Sequence, residues 1–290
     1  PNKHVMLTKG AVSVLAQVVR SGTPVAIKHA TGVLWNLANV DIGASAIMHE
    51  QLASIFVQMT AADSSAACVR VAVGVLKSLL KNPEHRLTIV NASGLAAFIR
   101  LLRANTAPQH SQALSSALPS ALASASAVAS DELITATVAV AVANTESPSL
   151  VDMSSTTHTT TTTPSRRNGD GGDKNNDNTN FPYLQHILTG LWYLSLEDAY
   201  RTEIINQGTV PLLITLLNEA QAEVTVEAAG LLKSIALDAA GRSEISGHNG
   251  LQVLVRTLSA GSDNTVEHTA AIFRTMSTDS DFRYSIIRVE

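Results

Sequence analysis

The chain has 290 residues, of which 45% are hydrophobic and only 4% aromatic, so it is long enough for one or two domains with a buried core. Its formal net charge of −4 lies entirely in residues 105–180, which hold seven acidic and three basic residues, whereas the remainder holds 17 of each. The neutral remainder excludes general nucleic-acid binding, and the single cysteine, Cys68, excludes an internal disulfide and indicates a reducing compartment.

No run of about 18 apolar residues occurs in the sequence, so we predict no transmembrane segment. Together with the lone cysteine, this predicts a cytoplasmic location, with the nucleus as a second location. The chain begins with Pro1 rather than methionine. We therefore expect further repeats or domains beside it in a longer protein.

A repeat of about 42 residues begins at the N-terminus and organises the predicted elements. Each copy is predicted to contain a short first helix, a second helix opened by a glycine, and a longest third helix. Thr23 and Pro24 are typical of the start of a third helix, and Asn82 and Pro83 of a first helix. A reference position on the third helix recurs in steps of 42, 115, 41 and 41 residues: Asn36, Ser78, Tyr193, Ser234 and Thr275.

Two further marks support this repeat. A glycine opens the second helix at Gly10, Gly94, Gly208 and Gly250. An arginine follows the reference position by eight residues at Arg86, Arg201, Arg242 and Arg283, whereas the first copy carries Ala44. We expect these arginines to bind helix ends rather than a ligand.

Each third helix also carries one apolar stripe. In the first copy the stripe is formed by Ile27, Ala30, Leu34 and Leu37, and spacings of three, four and three residues place them on one side of a helix. A single copy cannot cover such a stripe. Stacked neighbours must bury it, which predicts a solenoid.

Residues 106–180 interrupt the third copy between its second and third helices. The later part of this segment is rich in threonine, asparagine and glycine, and ordering it would cost about 1–2 kcal/mol per residue without a compensating core. We therefore predict a low-complexity, largely disordered insertion, whose serines and threonines beside Arg166 and Arg167 are hypothetical phosphate acceptors. In an alternative register, residues 115–123 form the third helix of the third copy.

Residues 181–290 complete the third copy and add the fourth and fifth. Residues 29–38 ("HATGVLWNLA") and 186–196 ("HILTGLWYLSL") are predicted to be the same element of two copies. The period, the glycine-opened second helix and the Leu-x-Asn-Leu ending of a third helix resemble the armadillo repeat, over residues 1–105 and 181–290. This resemblance implies an all-α, right-handed α-solenoid of about five three-helix repeats, with the HEAT repeat as the nearest alternative.

In armadillo proteins the third helices line a concave groove, so the resemblance implies that their side opposite the apolar stripe faces a partner. One position there holds tryptophan, lysine or arginine, and burying an unpaired charge would cost several kcal/mol, which predicts an accessible position. The predicted partner-binding residues are His29, Trp35, Asn36, Arg70, Lys77, Ser78, Lys81, His186, Trp192, Tyr193, Glu227, Lys233, Ser234, His268, Arg274 and Thr275.

Two residue types in this set have a second interpretation. The tryptophans are also consistent with packing against an adjacent repeat, and the histidines with a solvated helix surface. A metal site shared by His29, His186 and His268 is not expected, because adjacent repeats lie about 10 Å apart. The intervening positions hold Val71 and Glu227.

The predicted function is a non-catalytic protein–protein interaction scaffold that binds an extended or helical peptide, with a preference for acidic segments. Only Asn36 matches the groove asparagine that bonds peptide backbone in armadillo relatives, so we expect recognition led by side chains. Without a phosphate-binding glycine loop, paired Cys/His spacing or a nucleophile motif, we predict no catalytic residue, metal or cofactor. The alternatives are an importin-α-like transport adaptor, although Gly32 stands where that family has a tryptophan, and the substrate-binding armadillo part of a larger ubiquitin ligase.

Overall fold

Local capping signals set the starts of helices in this chain. The Thr23 hydroxyl accepts a hydrogen bond from a backbone N–H three residues later, at 3.3 Å, and Pro24 is the first helical residue. Asn82 accepts a comparable bond at 3.1 Å immediately ahead of a helix that begins at Pro83. Both predicted helix starts are confirmed, because a capping oxygen and a proline each suit the unbonded first turn.

The computed structural model describes residues 2–106, 181–219, 221–279 and 282, and these residues form fifteen helices in five repeats. The first repeat comprises α1 (Asn2–Thr8), α2 (Ala11–Ser21) and α3 (Pro24–Ala38), and the second comprises α4 (Asp41–His49), α5 (Ala53–Gln58) and α6 (Ala66–Leu80). The third comprises α7 (Pro83–Asn91), α8 (Gly94–Thr106) and α9 (Phe181–Ser195). The fourth comprises α10 (Asp198–Asn206), α11 (Val210–Glu219) and α12 (Ala222–Ile235), and the fifth α13 (Ala239–Gly247), α14 (Gly250–Ala260) and α15 (Asp263–Ser277).

The helices stack as two parallel series. The third helices contact one another in the order α3, α6, α9, α12 and α15, and the second helices do so in the order α5, α8, α11 and α14. Helix α9 contacts both α6 and α8, so it holds the third-helix place of the third repeat although residues 107–180 separate it from α8. The predicted insertion at 106–180, apart from Thr106 at the end of α8, and the alternative helix at 115–123 lie outside the described residues.

The apolar stripe of the third helices forms the centre of the core. Leu34, Leu76, Leu191 and Leu232 occupy one register position in four repeats, and each is 0% exposed. Burying a leucine side chain contributes about 1.5–3 kcal/mol. The fifth counterpart, Phe273, is only half-buried. The prediction of an all-α solenoid of armadillo-type repeats is therefore confirmed.

The turn ahead of each second helix has a recurring backbone conformation. One residue there has a left-handed backbone in every repeat, at Gly10, Gln51, Ser93, Gly208 and Asn249, with φ between 54° and 71°. Gly94 and Gly250 are the first residues of α8 and α14, so they open the second helix as predicted, and the left-handed residue directly precedes them. The recurring feature is thus the left-handed turn, and a non-glycine residue adopts it at a cost of about 1–2 kcal/mol.

Candidate peptide-binding face

The third helices present one shared surface, which we call the third-helix face: the side of α3, α6, α9, α12 and α15 opposite the buried leucines. Of the sixteen predicted residues, His29, Asn36, Arg70, Lys81 and Arg274 are exposed. Trp35, Lys77, His186, Trp192, Tyr193, Glu227, Lys233, His268 and Thr275 are half-buried, and Ser78 and Ser234 are buried.

Ser78 and Ser234 require a correction, because their side chains stabilise the fold instead of facing a ligand. Ser78 is 7% exposed, and its hydroxyl donates to the side-chain oxygen of Asn39 in the preceding repeat at 3.1 Å. Ser234 is 4% exposed, and its hydroxyl donates to the carbonyl of Ser195 at 3.0 Å. Both serines therefore join neighbouring third helices, and neither is available to a peptide backbone.

Trp35 packs against the next two repeats. Its indole covers the backbone of Gly74 on α6 so closely that a Cβ atom at Gly74 would lie 2.5 Å from the indole Cε2. The same ring meets His186 of α9 edge-on, with 5.3 Å between centroids and an angle of 80°. For Trp35, the packing interpretation is therefore correct. A glycine at residue 74 is what permits this close approach.

His186 is held neutral in this arrangement. Burial, followed by the nearby Lys77 ammonium, lowers the pKa of His186 from 6.5 to about 4. Burial also lowers the pKa of Lys77, and the carboxylate of Glu227 opposes that change. Gln185 donates to Glu227 Oε1 at 3.5 Å, so the middle of the third-helix face carries a lysine and a glutamate rather than charges of one sign.

Trp192 occupies the same register position as Trp35 but packs differently. Its ring stacks on Tyr193, with 5.6 Å between centroids and an angle of 19°. The glycine of the next repeat, Gly230, is approached instead by His268, whose ring atoms lie 3.6 Å from the site of a Cβ. Lys233 Nζ donates to Nδ1 of His268 at 3.1 Å, and burial together with Lys233 lowers the pKa of His268. The imidazole is thereby kept as a neutral acceptor.

An open pocket of about 610 Å³ lies beside Trp192, between α9, α12 and α15, and we call it the Trp192 pocket. Its lining includes five of the predicted residues: Trp192, Lys233, Ser234, Arg274 and Thr275. The other five lining residues were not predicted, namely Leu196, Leu237, Glu267, Ala270 and Ala271. A signal for the two leucines exists in the sequence, because the position three residues after the reference is Asn39, Lys81, Leu196, Leu237 and Thr278 in successive repeats. Apolar residues occur there only beside the pocket.

The described recurrent arginines bind helix ends, as predicted, and each also pairs with a carboxylate farther along the chain. Arg201 donates to the carbonyl of Ser195 at the end of α9 at 3.1 Å, and it pairs with Asp238 of the next repeat at 3.0 Å. We use the name arginine clamp for the pairs Arg86–Glu197, Arg201–Asp238 and Arg242–Asp279. Arg283 lies outside the described residues. Ala44 on α4 and Asn82 ahead of α7 occupy the matching positions, so no such ion pair forms there.

Neither a metal centre nor a single membrane-spanning helix is found in the described part of the chain. Within residues 2–106, 181–219 and 221–279, no three or more His, Cys, Asp or Glu side chains are grouped as metal ligands would be. Over those ranges, no individual helix has both the length and the apolar composition needed to cross a membrane, although α7 and α8 together meet those criteria with a 79° bend between them.

Several solved structures with a similar fold are designed proteins. One designed armadillo repeat protein matches with a TM-score of 0.63 at 13% identity, covering 96% of this chain and 87% of the other. A second, in complex with the peptide (KR)4, matches with a TM-score of 0.60 at 15% identity over 94% and 84% of the two chains. A third set, computationally designed for modular peptide recognition, gives 0.64 at 13% identity over 96% and 87%. At these identities the similarity establishes the fold alone.

Sequence comparison adds a family to that fold. A search of curated proteins found no match. A family profile that describes the H subunit of V-ATPase matches residues 11–226, which is well over half of the chain and extends from α2 into α12. Because this profile covers most of the armadillo-type repeats, the chain belongs to the family of the V-ATPase H subunit.

Proposed function

We propose that this chain is a non-catalytic protein–protein interaction scaffold that binds V-ATPase through its third-helix face. The observation that carries the proposal is the Trp192 pocket. Its lining exposes the indole of Trp192 and two leucines to solvent. Exposed apolar groups of this kind are typical of interaction sites. Membership of the family supports V-ATPase as the assembly, and the designed armadillo neighbours support a peptide as the bound element.

The charge of the face supports an acidic partner. The designed neighbour with the peptide (KR)4 holds a basic ligand, whereas this chain places Lys77, Lys233 and Arg274 on the third-helix face against Glu227 and Glu267. Opposite charges steer a partner to a surface and fix its register. We propose that the partner segment is extended or helical and carries acidic residues.

Recognition by this face depends on side chains more than on peptide backbone. Asn36 is exposed and available for a backbone hydrogen bond. Its counterparts Ser78 and Ser234 are buried in contacts between helices. A single asparagine supports modest affinity, because each added hydrogen bond contributes about 0.5–1.5 kcal/mol. The importin-α-like and ubiquitin-ligase alternatives have no observation in their favour, and a cytoplasmic or nuclear location stays a prediction.

Capture of purified V-ATPase tests this function. The intact chain is immobilised beside a variant with Trp192→Ala and Lys233→Ala, and retained V-ATPase is measured by immunoblot. We expect the variant to retain at least about tenfold less, since truncating central aromatic and charged anchors typically costs about 2 kcal/mol or more. A matched control replaces one apolar and one cationic exposed residue away from the pocket, Leu87→Ala with Arg256→Ala.

The outcomes separate clearly. Circular dichroism and thermal unfolding of both variants establish that each remains folded. Equal capture by the parent chain and the Trp192/Lys233 variant would exclude this face as the binding surface. Equal loss in the control variant would point to a general effect on the fold, and no capture by the parent chain would overturn V-ATPase as the partner.

A further inference from the structure

The Trp192 pocket has one apolar wall formed by three side chains from two repeats. Leu196 is 49% exposed and Leu237 is 58% exposed, although both are large aliphatic residues. Trp192 completes this wall from α9 and is half-buried. Water contact with such a surface is unfavourable by about 25 cal/mol per Å². A bulky apolar side chain entering the pocket would remove that contact.

The charged lining residues form a second group. Lys233 lies on α12, and Glu267 and Arg274 lie on α15, so the lining holds two cations and one anion. His268, which borders Lys233, is neutral because burial and the lysine lower its pKa. The pocket therefore has a formal charge of +1. Within the ranges that the structure describes, the Arg274 guanidinium is exposed and makes no hydrogen bond or ion pair.

The apolar and the charged lining residues together limit which peptides fit. A basic peptide would meet Glu267 alone against two cations, and a wholly apolar peptide would leave Lys233 and Arg274 without a new partner as it displaced their water. An acidic peptide without a bulky side chain would leave the two leucines and the indole exposed. Only a segment that combines a bulky apolar side chain with a carboxylate matches both groups of lining residues.

We propose that the Trp192 pocket recognises a peptide segment in which a bulky aliphatic or aromatic side chain lies beside an aspartate or glutamate. The apolar side chain packs between Trp192, Leu196 and Leu237, and the carboxylate accepts from Arg274 and Lys233. Arginine suits this role because its planar guanidinium can bind a carboxylate with two parallel hydrogen bonds. The inference rests on the proposed scaffold function and specifies its ligand.

Selection from a random peptide library displayed on phage tests the proposal directly. The intact chain is the bait, and the selected pool is sequenced and then rebound to Arg274→Glu and Leu237→Ser, two exposed positions whose change leaves the core intact. We expect enrichment of leucine, isoleucine, phenylalanine or tryptophan within about one helical turn of an acid. Each variant should bind the pool at least about tenfold less tightly, because each removes one of the two recognised features.

A charge swap sharpens the test. A second selection on Arg274→Glu, where the two cations and one anion of the lining become one cation and two anions, should replace the acid in the enriched peptides by lysine or arginine while keeping the apolar residue. The controls Arg256→Glu and Leu87→Ser, exposed residues that do not line the pocket, should bind the original pool as the parent chain does. Unfolding curves of all the variants establish that they are folded.

An empty selection, a pool without the apolar–acidic pairing, or a pool that binds Arg274→Glu and Leu237→Ser as well as the parent would overturn this proposal. Failure of the scaffold function is measured separately. If V-ATPase capture is still lost on changing Trp192 and Lys233 while the selection fails, the face binds protein by a different chemistry. If capture is unaffected by that change as well, the scaffold proposal itself fails.

Discussion

The surroundings of Trp35 and Trp192 contain the same four residue types, tryptophan, glycine, histidine and lysine, in opposite arrangements. At Trp35 the indole covers the glycine of the next repeat and the histidine packs against the indole. At Trp192 the histidine approaches the glycine, and the indole stacks on Tyr193 and borders an open pocket. The reference position accounts for the difference, since Tyr193 offers a ring to hold Trp192 back, whereas Asn36 offers none to Trp35. One register position therefore serves structure in one repeat and an open surface in another.

The two regions also differ in how repeats are joined. Arginine clamps join α7 to Glu197 ahead of α10, α10 to Asp238 ahead of α13, and α13 to Asp279 after α15. At the matching place between α4 and the residue ahead of α7, Ala44 and Asn82 form no ion pair, and Trp35 of the first repeat packs over Gly74 of the second. Where the clamp supplies the connection, the tryptophan is not needed for it. Substitutions at a clamp arginine and at the glycine under Trp35 test these two kinds of connection separately.

The largest effect is expected on removing a clamp. Arg201 is 6% exposed and binds Ser195, Asp198 and Asp238. Arg201→Ala should lower the free energy of unfolding by about 2–3 kcal/mol, because a partly buried ion pair with Asp238 and a helix-end hydrogen bond are lost together. Urea unfolding followed by circular dichroism measures the change. Arg256→Ala, at an exposed arginine outside the clamps, should change the free energy of unfolding by less than about 0.5 kcal/mol. A similar loss in both variants would show that the clamp does not stabilise the fold.

A matched pair of glycine substitutions tests the tryptophan contact next. Gly74→Ala places a Cβ 2.5 Å from the Trp35 indole, so we expect a loss of about 1–2 kcal/mol and a red shift of tryptophan emission as the ring is displaced. Gly230→Ala meets only His268 at 3.6 Å. It should gain about 0.5–1 kcal/mol, because alanine is the better helix former. Thermal unfolding and fluorescence measure both variants, and a loss at residue 230 equal to that at 74 would contradict the comparison.

Acidification should lower the free energy of unfolding through His186, which packs against Trp35. The pKa of His186 is about 4 in the fold and 6.5 when unperturbed, so the unfolded chain binds the extra proton between these values. The free energy of unfolding therefore falls as pH drops from about 6.5 towards 4. The full shift corresponds to about 3 kcal/mol, which solvent screening of a half-buried ring reduces to about 1–2 kcal/mol.

Urea unfolding at about pH 7 and about pH 5, on either side of the unperturbed histidine value, measures this dependence. The His186→Gln variant cannot titrate at this position and should lose less stability over the interval than the parent chain. His29→Gln, at an exposed histidine of the same register position in the first repeat, serves as control. Identical pH dependence in the parent and in His186→Gln would show that the histidine is not held neutral by its surroundings.

The smallest effect concerns the reference position itself. Ser234 is buried and donates to Ser195, whereas the Thr275 hydroxyl donates only to the carbonyl of Ala271 in its own helix at 3.0 Å. Ser234→Ala should cost about 1 kcal/mol, the usual contribution of one hydrogen bond. Thr275→Ala should cost less than about 0.5 kcal/mol. Chemical unfolding of the two variants would separate a structural serine from a threonine on the open side of the face.

The repeat and its core are predictable because their signals are local. Leu34 and its counterparts follow helical spacing, and Thr23 and Asn82 cap helices through residues next to them in sequence. The candidate site is predictable only in part. Ser78 and Ser234 share a register position with exposed Asn36, and their burial depends on hydrogen-bond acceptors contributed by a neighbouring repeat. Side-chain packing across repeats is a tertiary property that position within one repeat does not specify.

Trp35 and Trp192 illustrate the same limit. Their sequence contexts are nearly identical, and the next repeat has a glycine at the matching position in both cases, Gly74 and Gly230. Only Trp35 covers that glycine. The exposed Leu196 and Leu237 do not stand out in the sequence, because single exposed leucines are common on protein surfaces. Their alignment in two adjacent repeats carries the information, and its meaning depends on the pocket that joins them.

The clamp between Arg86 and Glu197 has a kinetic consequence. Its partners are 111 residues apart in the chain, against 37 for the clamps at Arg201 and Arg242. Closing a loop about three times as long costs only about 1 kcal/mol of chain entropy. Equilibrium stability thus tolerates the long excursion between α8 and α9, but the search for this contact is slower than for its neighbours. We expect α1–α8 and α9–α15 to fold as separate units that join late, at this clamp. The same junction is therefore where a change in chain length should cost the least stability.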